Sequence, residues 1–79
     1  MDKTIYEAVK TGVADNNIRY TDFQKLIIAL GFKFLRQKGS HTMYFNSKIN
    51  AFINIQKDGK KAKAYQVKQL REIILNYNL

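Results

Sequence analysis

The sequence contains a single histidine, His41, the side-chain type that most readily exchanges protons near neutral pH. It ends the tripeptide Gly39-Ser40-His41, and the cations Arg36 and Lys38 precede it closely. A neutral imidazole can take a proton from a ribose 2′-hydroxyl, and an imidazolium can give one to a leaving oxygen. Arginine and lysine can hold a phosphate, which a glycine turn lets approach the backbone. This grouping predicts phosphodiester chemistry, with Gly39 and Ser40 shaping the turn that holds His41.

The same histidine also has a purely structural interpretation. A lone histidine at the start of a strand is more often a surface or half-buried residue than a catalyst. Because side chains alternate along a strand, His41 shares a face with Met43 and Phe45, and Tyr44 lies on the other face. If Met43 and Phe45 belong to the core, His41 points inward too. One histidine cannot be acid and base at once, so an enzyme needs a second group, such as Tyr44, a lysine or water.

Metal and cofactor chemistry find no ligands in the sequence. The six carboxylates are scattered, none is paired at ligand spacing with His41 or with another carboxylate, and there is no cysteine. There is also no glycine-rich loop of the Walker or dinucleotide-binding type. We therefore predict a reaction without a metal ion or another cofactor.

The net charge of +8 lies entirely in residues 32–79, which hold ten basic and two acidic side chains. Such a basic segment favours a polyanion as partner, nucleic acid first and an acidic protein second. The residues predicted to contact RNA are Arg36, Lys38, Lys57, Lys60, Lys61 and Lys63, with Tyr44 as a stacking platform. Tyr44 and Tyr65 are the aromatic residues we expect to be exposed. The alternative is a lysine-rich surface that serves only solvation.

The pattern of apolar residues predicts the elements that carry these side chains. An apolar stripe of Ile5, Val9 and Val13 predicts a first helix within residues 1–14. Thr21 and Gln24 have the spacing of a capping box for a second helix, which Gly31 ends in a left-handed conformation. Aromatic and β-branched residues predict strands at 32–38, 41–46 and 51–56, followed by a polar loop at 57–64 and a last helix.

This order predicts an α+β fold in which helices cover a three-stranded antiparallel sheet. We expect one domain over residues 1–79, with a core at 20–79 and an additional helix at 1–14. The core has the α-β-β-β-α order of the double-stranded-RNA-binding fold. No apolar run is long enough to span a membrane and no signal peptide is evident, so we expect a cytoplasmic protein without a membrane partner.

Taken together, residues 30–32 (LGF), 36–41 (RQKGSH) and 43–45 (MYF) resemble the HicA family of type II toxin–antitoxin systems. Residues 56–71 (QKDGKKAKAYQVKQLR) resemble one subgroup of that family, which also has an extra N-terminal helix. The resemblance implies a double-stranded-RNA-binding-like fold and a ribonuclease that cleaves mRNA with a single catalytic histidine, here His41. It also implies a HicB-like antitoxin partner that covers this histidine.

One departure from the family pattern concerns the third strand. Many HicA proteins carry a second histidine there, whereas the corresponding residues 54–58 (NIQKD) contain none. Two other functions therefore stay open at this point: a non-catalytic RNA-binding module on the same fold, and a domain whose basic face binds only an acidic protein.

Overall fold

The computed structural model describes residues 3–79, so the first two residues of the predicted N-terminal helix lie outside the described part. Three helices and four strands form, which confirms the α+β class. In chain order they are α1 Lys3–Thr11, α2 Tyr20–Ala29, β1 Lys33–Lys38, β2 His41–Asn46, β3 Ala51–Asp58, β4 Lys61–Ala62 and α3 Ala64–Tyr77. None of the helices within residues 3–79 is long and apolar enough to cross a bilayer.

The sheet is an antiparallel meander in the order β1-β2-β3-β4, so the prediction of three strands is wrong. The segment expected to be a polar loop instead extends β3 and turns at Gly59 and Lys60 into the short strand β4. Two contacts explain why this lysine-rich segment is ordered. The Ala62 N–H donates to the Ile18 carbonyl at 2.8 Å, and the Ala62 side chain is buried. An isolated antiparallel bridge also joins Lys61 of β4 to Arg19.

One face of the sheet is buried against the helices and the other is open. Along β2 the buried side chains alternate with exposed or half-buried ones, and β3 follows the same alternation. The buried side chains of β2 and β3 are Thr42, Tyr44, Asn46, Ile53 and Ile55. Of these, Tyr44, Ile53 and Ile55 belong to one hydrophobic core with Phe23, Ile27, Val67, Leu70 and Ile74 of the helices. His41, Met43 and Phe45 therefore lie on the open face.

Helix α2 begins two residues earlier than the capping-box prediction requires, and that prediction is wrong. Arg19 is the N-cap residue and makes no side-chain capping hydrogen bond. The chain is held there by pairing with β4, since the Tyr20 N–H donates to the Lys60 carbonyl at 2.9 Å. The prediction for the other end is confirmed, because Gly31 has a φ of +101°. This is a conformation that glycine adopts without steric cost.

A salt bridge between Arg71 and Asp15 connects α3 to the segment that follows α1. The Arg71 guanidinium donates to both carboxylate oxygens of Asp15, at 2.9 and 3.0 Å, and to the Val9 carbonyl at 3.2 Å. The hydrogen bond to Asp15 raises the pKa of Arg71 above its ordinary value. The helix α1 is thereby tied to the helix that packs behind the sheet.

Candidate functional site

The β1–β2 hairpin brings His41 next to the two cations that precede it in sequence. Lys38 is the direct cross-strand partner of His41, and Arg36 is the partner of Met43. Directly opposed residues of an antiparallel pair lie on the same face, so both cations share the open face with the histidine. Together with Gly39, Met43 and Asn54 they line a shallow pocket of about 670 Å³.

Gly39 gives this pocket an unobstructed rim. Its φ is +60°, and a Cβ built at this position would meet no atom within 4 Å. A phosphate can therefore approach the backbone of the turn closely, as the sequence suggested. His41 itself is exposed, so it is not a core residue.

Two glutamine side chains hold the turn that carries His41. The Gln37 amide donates to the Gly39 carbonyl at 3.1 Å, and the Gln56 amide donates to Ser40 Oγ at 3.0 Å. The backbone N–H of Gln56 in turn donates to Oε1 of the buried Gln66 at 2.8 Å. A chain of hydrogen bonds thus runs from α3 through β3 to the turn, which positions the residue next to His41.

Sequence analysis missed this role of Gln56, because only the strand register reveals it. Gln56 is the direct partner of His41 across β2 and β3, within the segment where many HicA proteins have a second histidine. An amide can donate and accept hydrogen bonds but does not exchange a proton near neutral pH. Gln56 can therefore position groups at this site but cannot act as the second acid or base.

The prediction that Tyr44 is exposed is wrong. Its side chain is only 4% exposed, and its hydroxyl accepts a hydrogen bond from the Gln24 amide at 3.3 Å. It lies on the buried face of β2, opposite to the face of His41. Tyr44 therefore cannot stack on an RNA base or exchange a proton with the site. Tyr65, the other tyrosine expected to be exposed, is exposed.

The lysines of residues 57–63 lie outside the His41 pocket. Lys57 is on the helix side of the sheet, where its Nζ lies 5.6 Å from the centre of the Tyr20 ring. It lines a second groove that also includes Ser40, on the far side of the turn. Lys60 occupies the β3–β4 turn, Lys61 pairs with Asp58, and Lys63 precedes α3. The structure thus separates these lysines from Arg36 and Lys38.

Side chains able to bind a metal are dispersed over the fold. Within residues 3–79 there is no group of three or more histidine, aspartate or glutamate side chains that could hold an ion.

A basic α+β domain with one exposed histidine beside two cations can bind a polyanion and transfer a proton to or from it. The chain matches the family described as HicA toxin of bacterial toxin-antitoxin over residues 20–74, and it belongs to this family. The match confirms the resemblance noted in the sequence, and HicA toxins are ribonucleases. It begins at the first residue of α2, so α1 lies outside it. Comparisons with curated proteins and with solved structures gave no match.

Proposed function

We propose that this toxin is a metal-independent endoribonuclease that cleaves mRNA in the cytoplasm, with His41 as its single catalytic histidine. Membership of the HicA family supports the ribonuclease class. The observation that carries the assignment to His41 is the pocket on the open sheet face. There an exposed imidazole lies beside Lys38, its cross-strand partner, and near Arg36.

In the proposed reaction, His41 takes the proton of the 2′-hydroxyl next to the scissile phosphate. The 2′-oxygen then bonds to phosphorus, and the bond from phosphorus to the 5′-oxygen breaks. Because one imidazole cannot supply a second proton at the same moment, water protonates the departing 5′-oxygen. The products are a 2′,3′-cyclic phosphate and a 5′-hydroxyl. Arg36 and Lys38 offset the negative charge that grows on the phosphate oxygens.

In this proposal the lysines around the β3–β4 hairpin bind RNA but do not take part in cleavage. Lys57, Lys60, Lys61 and Lys63 lie away from the pocket and would contact phosphates of the RNA on either side of the cleaved bond. Such contacts add affinity without sequence preference and make binding fall steeply with salt.

The proposal extends to the fold and the partner. We take residues 20–79 as a double-stranded-RNA-binding-like core, supported by the order α2-β1-β2-β3-α3 and by the start of the family match at residue 20. Helix α1 is then an addition to this core. A HicB-like antitoxin would inhibit the toxin by covering the exposed His41 pocket.

The test is the variant His41→Ala, which is expected to lose RNA cleavage and growth arrest while keeping its affinity for RNA. His41 is exposed, so the substitution should leave the fold intact, and a melting curve checks this. Cleavage by the unchanged protein should persist in a chelator. If the variant still cleaves RNA, His41 is not the catalyst. If neither protein cleaves RNA but both bind it, the chain is a non-catalytic RNA-binding module.

A further inference from the structure

The open face of the sheet presents its side chains in three parallel rows, one on each of β1, β2 and β3. Cross-strand pairing places them in three rungs that step away from the hairpin turn. The rungs are Lys38–His41–Gln56, then Arg36–Met43–Asn54, then Lys33–Phe45–Phe52. Alternate residues of a strand lie about 6.6–7 Å apart, which sets the spacing of the rungs.

The rung farthest from the turn carries an aromatic pair. The rings of Phe45 and Phe52 lie with their centroids 4.6 Å apart and their planes tilted by 38°. Phe52 is 57% exposed, and the helices pack on the other side of the sheet. The pair therefore exposes aromatic surface to solvent on the same side of the sheet as His41.

The three rows differ in charge: the row on β1 is positively charged, and the row on β3 is uncharged. The row on β1 consists of three exposed cations, Lys33, Arg36 and Lys38, and none of them forms an ion pair with another residue of 3–79. The row on β3 consists of Gln56, Asn54 and Phe52, which are all uncharged. A single strand of nucleic acid has the same division, with its charge along the backbone and flat uncharged bases along the other edge.

We propose that single-stranded RNA lies along the open face, with its backbone over β1 and a base stacked on the Phe45–Phe52 pair. This inference rests on the proposed ribonuclease function and adds how its substrate is held. Cations beside exposed aromatic rings are the usual means of binding single strands. An acidic protein would also suit the cations, but it would gain nothing from the separation of a charged row from an uncharged one.

The geometry also sets where the stacked base lies relative to the cleaved bond. Phe45 is two rungs from His41, a distance of about 13 Å along β2. A stacked strand rises about 3.4 Å per nucleotide, and an extended one about twice that. The stacked base is therefore about two to four nucleotides from the scissile phosphate. The amide of Asn54, in the middle rung, lies between these points and can hydrogen-bond to a base edge.

The experiment compares Phe52→Ala with Phe34→Ala. Phe34 is 60% exposed but pairs with Tyr44, so it lies on the opposite face and makes a matched control. The probe is a short fluorescent 2′-O-methyl oligonucleotide, which lacks the attacking hydroxyl and stays intact. Affinity is measured by anisotropy over a range of salt concentrations. Phe52→Ala should weaken binding about tenfold with an unchanged salt slope, and Phe34→Ala should stay within about twofold.

Two further variants sharpen the result. Phe52→Leu keeps the apolar bulk but removes the ring, so it should also weaken binding if stacking is responsible. Lys33→Gln should flatten the salt slope by about one unit, because it removes one phosphate contact. Each variant is first checked by thermal melting.

Equal affinity of the Phe52 and Phe34 variants for the oligonucleotide would overturn the inference. So would a loss of antitoxin binding in Phe52→Ala without a loss of oligonucleotide affinity, because the face would then be a protein-docking surface. Neither result depends on cleavage. Failure of the proposed function appears separately, as cleavage that survives in His41→Ala.

Discussion

The buried side chain of Asn46 joins the end of α2 to the turn after β2, and we expect Asn46→Asp to destabilise the fold in a pH-dependent way. Asn46 is only 1% exposed. Its Nδ2 donates to the Leu30 carbonyl at 3.1 Å, and its Oδ1 accepts from the Lys48 N–H at 3.0 Å. A Cβ on Gly31 would lie 3.2 Å from Nδ2, so the amide is closely confined.

The expected loss follows from these two hydrogen bonds. Aspartate has the same shape and keeps the bond from Lys48, but its second oxygen faces the Leu30 carbonyl, which is also an acceptor. The lost bond costs about 1 kcal/mol, and the carbonyl and carboxylate left without a donor add about 2 kcal/mol. We therefore expect the free energy of unfolding to fall by about 3 kcal/mol at pH 7.

The pH dependence distinguishes this cause from a packing defect. Burial beside a carbonyl oxygen raises the pKa of the introduced carboxyl in the folded state. The penalty is therefore present at neutral pH and is relieved as the pH falls toward 4, the ordinary range of an aspartate. The protonated carboxyl can then donate to the Leu30 carbonyl again. Asn46→Ala loses both bonds without introducing a charge, so its deficit should be the same at both pH values.

Urea unfolding of the unchanged protein, Asn46→Asp and Asn46→Ala at pH 7 and pH 4 measures these differences. The aspartate variant should recover most of its deficit at pH 4 relative to the unchanged protein, and the alanine variant should not. A deficit of Asn46→Asp that is the same at both pH values would refute the reasoning. So would a stability equal to that of the unchanged protein at pH 7.

Two other substitutions test the positioning of the site and of α1. Gln56→Ala removes the donor to Ser40 Oγ, so kcat for RNA cleavage should fall about tenfold with KM nearly unchanged; a rise in KM alone would contradict a positioning role. Arg71→Lys keeps the charge but loses the bidentate hydrogen bond to Asp15. Urea unfolding should therefore show a free energy of unfolding lower by about 1–2 kcal/mol. A stability unchanged from that of the parent would show that charge alone suffices.

The strands of the central hairpin were predictable because local residues determine them. Strand β2 has its predicted bounds, His41–Asn46, and β1 differs by one residue. The grouping of Arg36, Lys38 and His41 followed from the same hairpin, since a tight turn places nearby residues opposite each other. Strand β4 was not predictable, because two residues carry no periodicity and it depends on hydrogen bonds to residues 18 and 20, far away in sequence.

The wrong prediction that Tyr44 is exposed has a different origin: the sequence of β2 does not show which face of the sheet the helices cover. Alternation along β2 separates His41 from Tyr44, but both faces of that strand are partly apolar, so the strand alone does not decide. Strand β3 decides it, because Ile53 is buried on one face while Asn54 on the other cannot be. The register places Ile53 opposite Tyr44 and thereby draws the tyrosine inward. The burial of Tyr44 and the exposure of His41 are thus consequences of one pairing, which also leaves Phe52 on the face of the histidine.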